Sequence, residues 1–195
     1  MSRDPILRAF RGVIAALVLV TLADNFLGRG ASESAVDFWS YFTNQSNLIA
    51  ALILLVMAAL PSTSGSPRLR TWLRGGALLY LLITALVNQV VLSGGLADPI
   101  LHIVAPLLLV IDWAVAPPRD YRIGIGLTVT WLAYPLVWMV YTLVRGASTG
   151  WYPYSFINVS IHGGGAVAAN LLALTVFVLL LAQLVRLTGR RPSVA

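Results

Sequence analysis

The stretch Tyr41-Phe42-Thr43-Asn44-Gln45-Ser46-Asn47 sets five consecutive polar residues into sequence that is otherwise as apolar as lipid. Residues 38–67 carry no charge and residues 48–60 are wholly apolar, so the segment is long enough to cross a bilayer. At about 100° of turn per residue, five positions cover the whole circumference of a helix, and no rotation hides all of residues 43–47 from lipid. Other helices must pack around them. Polar side chains at such depth are costly unless they are partnered or face a cavity, so the run is a site hypothesis as well as a fold signal.

Composition supports the membrane reading. Of 195 residues 58% are hydrophobic and 10% charged, with a mean hydropathy of +0.85, whereas a soluble domain carries about 25% charged residues. There is no cysteine, which excludes disulfide and thiolate chemistry. The thirteen basic residues are all arginine and give a net charge of +6, yet they flank apolar spans and form no basic face, which argues against a nucleic-acid partner. The first eleven residues resemble the basic start of a signal peptide. No small-residue cleavage site follows residues 17–22, so a retained first span is expected.

Six apolar segments can be counted, over residues 6–27, 38–60, 72–92, 99–115, 123–144 and 165–187, the fourth being short. The runs do not alternate at period two, so helices are expected rather than strands. An even number of spans puts both termini on one side. That side would hold Arg3, Arg8, Arg11, Arg68, Arg70, Arg74, Arg119, Arg122, Arg186, Arg190 and Arg191, eleven against the two of Arg29 and Arg145, and is therefore cytoplasmic. The expected fold is an all-α integral membrane protein, one domain over residues 1–195, with six transmembrane helices and both termini cytoplasmic, multi-pass in the plasma membrane. Turn signals at 61–67, Ser93-Gly94-Gly95 and Pro117-Pro118 keep most connections short. Residues 145–164 form the one long connection, and Gly150-Trp-Tyr-Pro-Tyr154 within it suits either an interfacial anchor or a lid, the anchor being the simpler account.

A rise of about 1.5 Å per residue places Thr43 roughly 8 Å and His102 roughly 6 Å below the outer surface. Asn88, Gln89, Asn158, His162, Asp24 and Asn25 fall in the same half, as a cavity open to the outside would need. Thr43 could serve as a nucleophile with His102 as its base. The amides of Asn44, Asn47 or Asn88 are candidates to support a tetrahedral oxyanion, and His162 is a further member of the polar layer. Asp98, four residues before His102, lies on the same helix face and could orient the imidazole. Each has a structural alternative. Thr, Ser and Asn in membrane helices commonly bond between helices, Asp98-Pro99 reads as an N-cap with proline at the first helical position, and His162 before Gly163-Gly164-Gly165 reads as a loop residue. Asp112 is expected to pair with Arg119 and Arg122. Among Asp24, Asp98, His102 and His162 only Asp98 and His102 have a ligand-like spacing, so no metal and no cofactor is expected.

Phe42-Thr43, the run His102-Ile-Val-Ala-Pro106-Leu-Leu-Leu-Val-Ile-Asp-Trp113, and Trp138 with Gly150-Trp-Tyr-Pro-Tyr154 together resemble the androgen-induced-gene-like membrane proteins, most closely their bacterial six-helix branch. Animal members of that family are threonine hydrolases that cleave fatty acid esters of hydroxy fatty acids, with a threonine in the second span and a histidine in the fourth. The resemblance implies a lipid ester hydrolase with Thr43 as nucleophile and His102 as base, a lipid or fatty acid ester as substrate and membrane lipids as surroundings. Asp98 is not part of the family pattern, which leaves a Thr/His dyad. The run 44–47 is more polar than its animal counterparts, which points to a wetter pocket and a different substrate. Two other function classes fit a polar layer in a membrane: a small-molecule transporter, and a non-catalytic lipid-binding or regulatory protein. Against transport stand the lack of an internal repeat and of a charged path.

Overall fold

The computed structural model describes residues 4–61, 63–91, 98–118 and 123–189. The turn at Ser93-Gly94-Gly95 and the side chains of Arg3, Arg119, Arg122, Arg190 and Arg191 lie outside them. Among the described residues the chain is helical without a strand: α1 (Asp4–Gly28), α2 (Ala35–Ser40), α3 (Phe42–Ala59), α4 (Pro67–Val90), a π turn (Ile100–Val104), α5 (Ala105–Val115), α6 (Ile125–Thr130), α7 (Ala133–Thr149), a 3-10 turn (Ser155–Ile157) and α8 (Val159–Thr188). Five stretches, α1, α3, α4, α6 with α7, and α8, are long and apolar enough to cross a membrane, while residues 100–115 make a shorter apolar helix.

The helices depart from the expected spans in two places. Residues 38–60 are not one helix: Tyr41 is extended (φ −68°, ψ 131°) and separates the short α2 from α3. The fifth segment bends between α6 and α7, because Pro135 has no N–H to give the carbonyl of Trp131. Tyr80 Oη supplies the missing donor at 3.0 Å. The Trp131 indole meanwhile lies flat on α4, where a Cβ at Gly75 would stand 2.3 Å from its ring. The bend is thus held by a hydroxyl and by a glycine that leaves room. The long connection is also shorter than expected, since α7 runs to Thr149 and ends on Gly150 in the left-handed region (φ 72°).

Helix ends gather at two poles. At one, arginine side chains take the carbonyls that helix C-termini leave unpaired. Arg8 donates to Ala58 O and Ala59 O at 2.8 and 2.9 Å, capping α3. Arg74 donates to Ala116 O at 2.7 Å, capping α5. Asp112 pairs there with Arg11 and Arg74, each at 2.7 Å, while the expected partners Arg119 and Arg122 lie outside the described residues. Arg11 and Arg74 come from α1 and α4, elements that only folding brings beside α5. Between the poles the core is largely apolar: Ile14, Ala15, Val18 and Leu22 of α1 are buried along with Ala50, Ala51 and Leu54 of α3, and the alanines let the two backbones approach closely.

Candidate active site

The opposite pole holds the polar residues, and the break at Tyr41 explains most of them. Ending α2 in an apolar setting strands its last carbonyls without water, a cost of several kcal/mol each if left unpaired. Asn44 Nδ2 donates to Phe38 O at 2.7 Å, Gln45 Nε2 to Trp39 O at 2.6 Å and Trp138 Nε1 to Ser40 O at 2.9 Å. Ser46 shares a 2.8 Å hydrogen bond with Thr84 of α4. Asn47, fully buried, donates to Thr43 O at 2.9 Å and to Leu101 O at 3.3 Å, tying α3 to the π turn. Four of the five polar residues therefore make bonds that join parts of the fold: Asn47 spends both amide hydrogens on backbone carbonyls, whereas Asn44 spends one of its two.

Thr43 is the exception. Threonine in a helix ordinarily returns its hydroxyl to the carbonyl four residues back. Thr21, Thr128, Thr142 and Thr175 all do so, at 2.8 to 3.0 Å. The corresponding acceptor for Thr43, Trp39 O, is already held by Gln45. The Thr43 hydroxyl instead meets His102 Nε2 at 3.3 Å and Tyr154 Oη at 3.4 Å. It sits at the second residue of α3, where backbone N–H groups lack helical partners and the helix dipole is positive.

His102 is presented by an irregular start to its helix. Pro106 cannot donate to His102 O, and Ala105 N–H bonds instead to Ile100 O, five residues back, which makes the π turn. Asp98 (φ 84°) begins the segment in the left-handed region, which aspartate tolerates better than most residues. Its Oδ1 accepts from the N–H groups of Ile100 and Leu101, both at 3.0 Å, and its Oδ2 accepts from Asn25. The N-cap reading of Asp98 therefore describes its carboxylate, and a carboxylate–histidine contact does not form. The backbone carbonyl of Asp98 takes that place, 3.0 Å from His102 Nδ1. A carbonyl only accepts, so Nδ1 carries the proton, and in the neutral ring Nε2 turns a lone pair to Thr43.

Tyr154, which the sequence places in an anchor or lid without a chemical role, closes the constellation. Its ring packs against Tyr41, Trp138 and Phe156, with centroids 5.7 to 5.8 Å apart. Its oxygen accepts from Thr43 N–H at 3.4 Å. Burial pushes the phenol up from its ordinary value, keeping it a protonated donor. The loop that carries it is held at the end of α7, where Arg145 pairs with Asp37 and covers the Trp151 ring at 4.2 Å. Hydrogen bonds from Ser34 and Arg145 hold the Asp37 carboxyl below its usual value.

Below this constellation lies a cleft with about 730 Å³ of space free of protein atoms, part of it open to the surroundings. Thr43, Tyr154, Thr84, Asn88 and Thr175 are its polar lining, and Phe42, Ile83, Leu136, Met139 and Val178 are among its apolar walls. Asn88 makes no side-chain hydrogen bond among the described residues, so its amide is free to meet a ligand. His102 is not part of the lining: Thr43 stands between it and the void. His162 is not brought to the site either. It is exposed, just before the break at Gly163 (φ 76°), and shares a 3.3 Å contact with Ser155. Among the described residues no three His, Asp or Glu side chains converge as metal ligands would.

In comparisons with known proteins, no family model matches the chain, and neither a curated protein nor a solved structure matches it.

Proposed function

We propose that this chain is an intramembrane lipid ester hydrolase in which Thr43 is the nucleophile and His102 its base. The observation that carries the reading is the diverted hydroxyl. Thr43 alone of the polar run makes no bond that the fold requires, and its oxygen lies between an imidazole lone pair at 3.3 Å and an apolar cavity. Distances slightly beyond the ordinary hydrogen-bond range are common for such pairs before substrate binds.

In the proposed reaction His102 Nε2 takes the hydroxyl proton while Thr43 Oγ1 attacks the ester carbonyl. The tetrahedral oxyanion is met by the Thr43 N–H at the start of α3 and by Tyr154 Oη, which now accepts from that same N–H. Collapse expels the alcohol, protonated by the imidazolium, and leaves an acyl-threonine. Water then adds to the acyl group with His102 again as base, releasing the carboxylic acid and restoring the hydroxyl. Six crossings, with residues 100–115 as the short fourth, both termini in the cytoplasm and a plasma-membrane location complete the proposal, and the resemblance to the androgen-induced-gene-like hydrolases agrees with it. The substrate is a lipid or fatty acid ester whose chain lies among the cavity's apolar walls.

The test is turnover of a medium-chain p-nitrophenyl ester and labelling by a fluorophosphonate probe, using the full chain in lipid nanodiscs. Thr43→Ala and His102→Ala should each abolish both signals without lowering the melting temperature. Full activity in Thr43→Ala overturns the assignment. Solute flux in liposomes without ester turnover would make the chain a transporter instead.

A further inference from the structure

A second void lies behind the wall of the first. Between α4 and α8 a groove of about 650 Å³ is lined by Leu86, Val87, Val90, Phe156, Asn170 and Phe177 among others, and apart from Asn170 it is apolar. It shares three residues with the Thr43 cleft: Val87, Phe156 and Leu174 line both. The groove opens on the outside of the bundle, since Val90 is 78% exposed and Asn170 and Ala173 are exposed too. Only three side chains therefore separate the cleft that holds Thr43 from an apolar surface that faces lipid.

Phe156 differs from the other two in how it is held. Val87 and Leu174 sit on long helices that meet along this seam. Phe156 belongs to the three-residue 3-10 turn. Its backbone is fixed, because Asn170 Nδ2 donates to Phe156 O at 2.8 Å, and its ring stacks on Tyr154 at 5.7 Å and 17°. A ring on a pinned backbone can turn about χ1 and χ2 between rotamers without unfolding its surroundings. The same ring touches Tyr154, whose hydroxyl meets Thr43.

We infer that Phe156 is a gate between the two voids, and that a hydrocarbon chain too long for the Thr43 cleft threads past it into the α4–α8 groove. The occupant is an acyl chain, because the groove adjoins the cleft across this thin wall, is apolar, and opens on the outer face of the bundle. Phe156 then determines chain-length preference. The inference rests on the hydrolase reading only for its kinetic test.

The experiment measures kcat/KM for p-nitrophenyl esters from C4 to C16 with the full chain in nanodiscs, together with displacement of cis-parinaric acid by saturated fatty acids from C8 to C18. Phe156→Ala should raise the C16:C4 ratio of kcat/KM at least tenfold and strengthen displacement by the longest acids alone. Phe156→Trp should shift both the other way. An unchanged ratio and unchanged displacement profile in both variants overturn the gate. If the wild type cleaves no ester yet the displacement profile shifts as stated, the gate stands and the hydrolase reading falls. A uniform loss at every chain length in both variants overturns the gate and leaves the Thr43 assignment intact.

Discussion

The phenol oxygen of Tyr154 lies 3.4 Å from both the backbone nitrogen and Oγ1 of Thr43, so one group on the loop after α7 touches the two atoms on which the proposed chemistry turns. The oxyanion formed when Thr43 Oγ1 adds to an ester carbonyl would lie beside that hydroxyl. Removing a single donor of this kind costs on the order of 10²-fold in kcat. Tyr154→Phe, which keeps the ring packing, should lower kcat by that amount with KM little changed. Unaltered kcat would remove Tyr154 from the mechanism.

Pro106 is expected to control the imidazole from four residues away. Pro106→Ala restores an N–H able to reach His102 O, which favours an ordinary α turn in place of the π turn and rotates His102 off Thr43. The variant should fold at least as stably as the parent and lose ester turnover by tenfold or more. Retained activity would mean that Asp98 and Pro99 alone set the geometry.

Two glycines separate stability from function. A Cβ at Gly146 would stand 2.0 Å from the Tyr152 ring, and one at Gly75 stands 2.3 Å from the Trp131 ring. Overpacking of this kind costs about 1–3 kcal/mol. Gly75→Ala and Gly146→Ala should both lower the melting temperature. Only Gly146→Ala should also reduce turnover per folded molecule, because Tyr152 lies two residues from Tyr154 and cannot move without the loop.

Asp112 holds two arginines at the opposite pole, with side chains 3% and 11% exposed. Asp112→Asn leaves both cations without a counter-charge, a loss of about 3–5 kcal/mol for breaking a buried pair. A large drop in melting temperature is expected, measured in the same nanodiscs. Activity of the surviving folded fraction should be normal, since the site lies at the other end of the helices.

The helical, apolar character of the chain was legible because it depends on composition and segment length, which need no partner. Thr43 and His102 stood out for the same reason, as polar exceptions in apolar sequence. What stayed hidden depended on distant residues. Asn44 and Gln45 look like site groups until the end of α2 is seen to need their amides, and nothing at Tyr41, neither proline nor glycine, announces the break. Asp112 finds its arginines on α1 and α4, dozens of positions away. Pro106 was the overlooked clue, since a proline four residues after a histidine in a helical segment must leave that histidine's carbonyl without its usual donor.

The amides that seal the gap before α3 have an evolutionary corollary. They answer the need of buried carbonyls for donors, not a need for reactivity, and a relative without the proposed hydrolysis would still need them or else rebuild an unbroken rod. Such a relative could drop the hydroxyl and the imidazole at no cost to folding. Among sister sequences, an active lineage should therefore be told apart by whether positions 43 and 102 keep their partnership, while a richly polar entrance by itself says only that the rod is broken there.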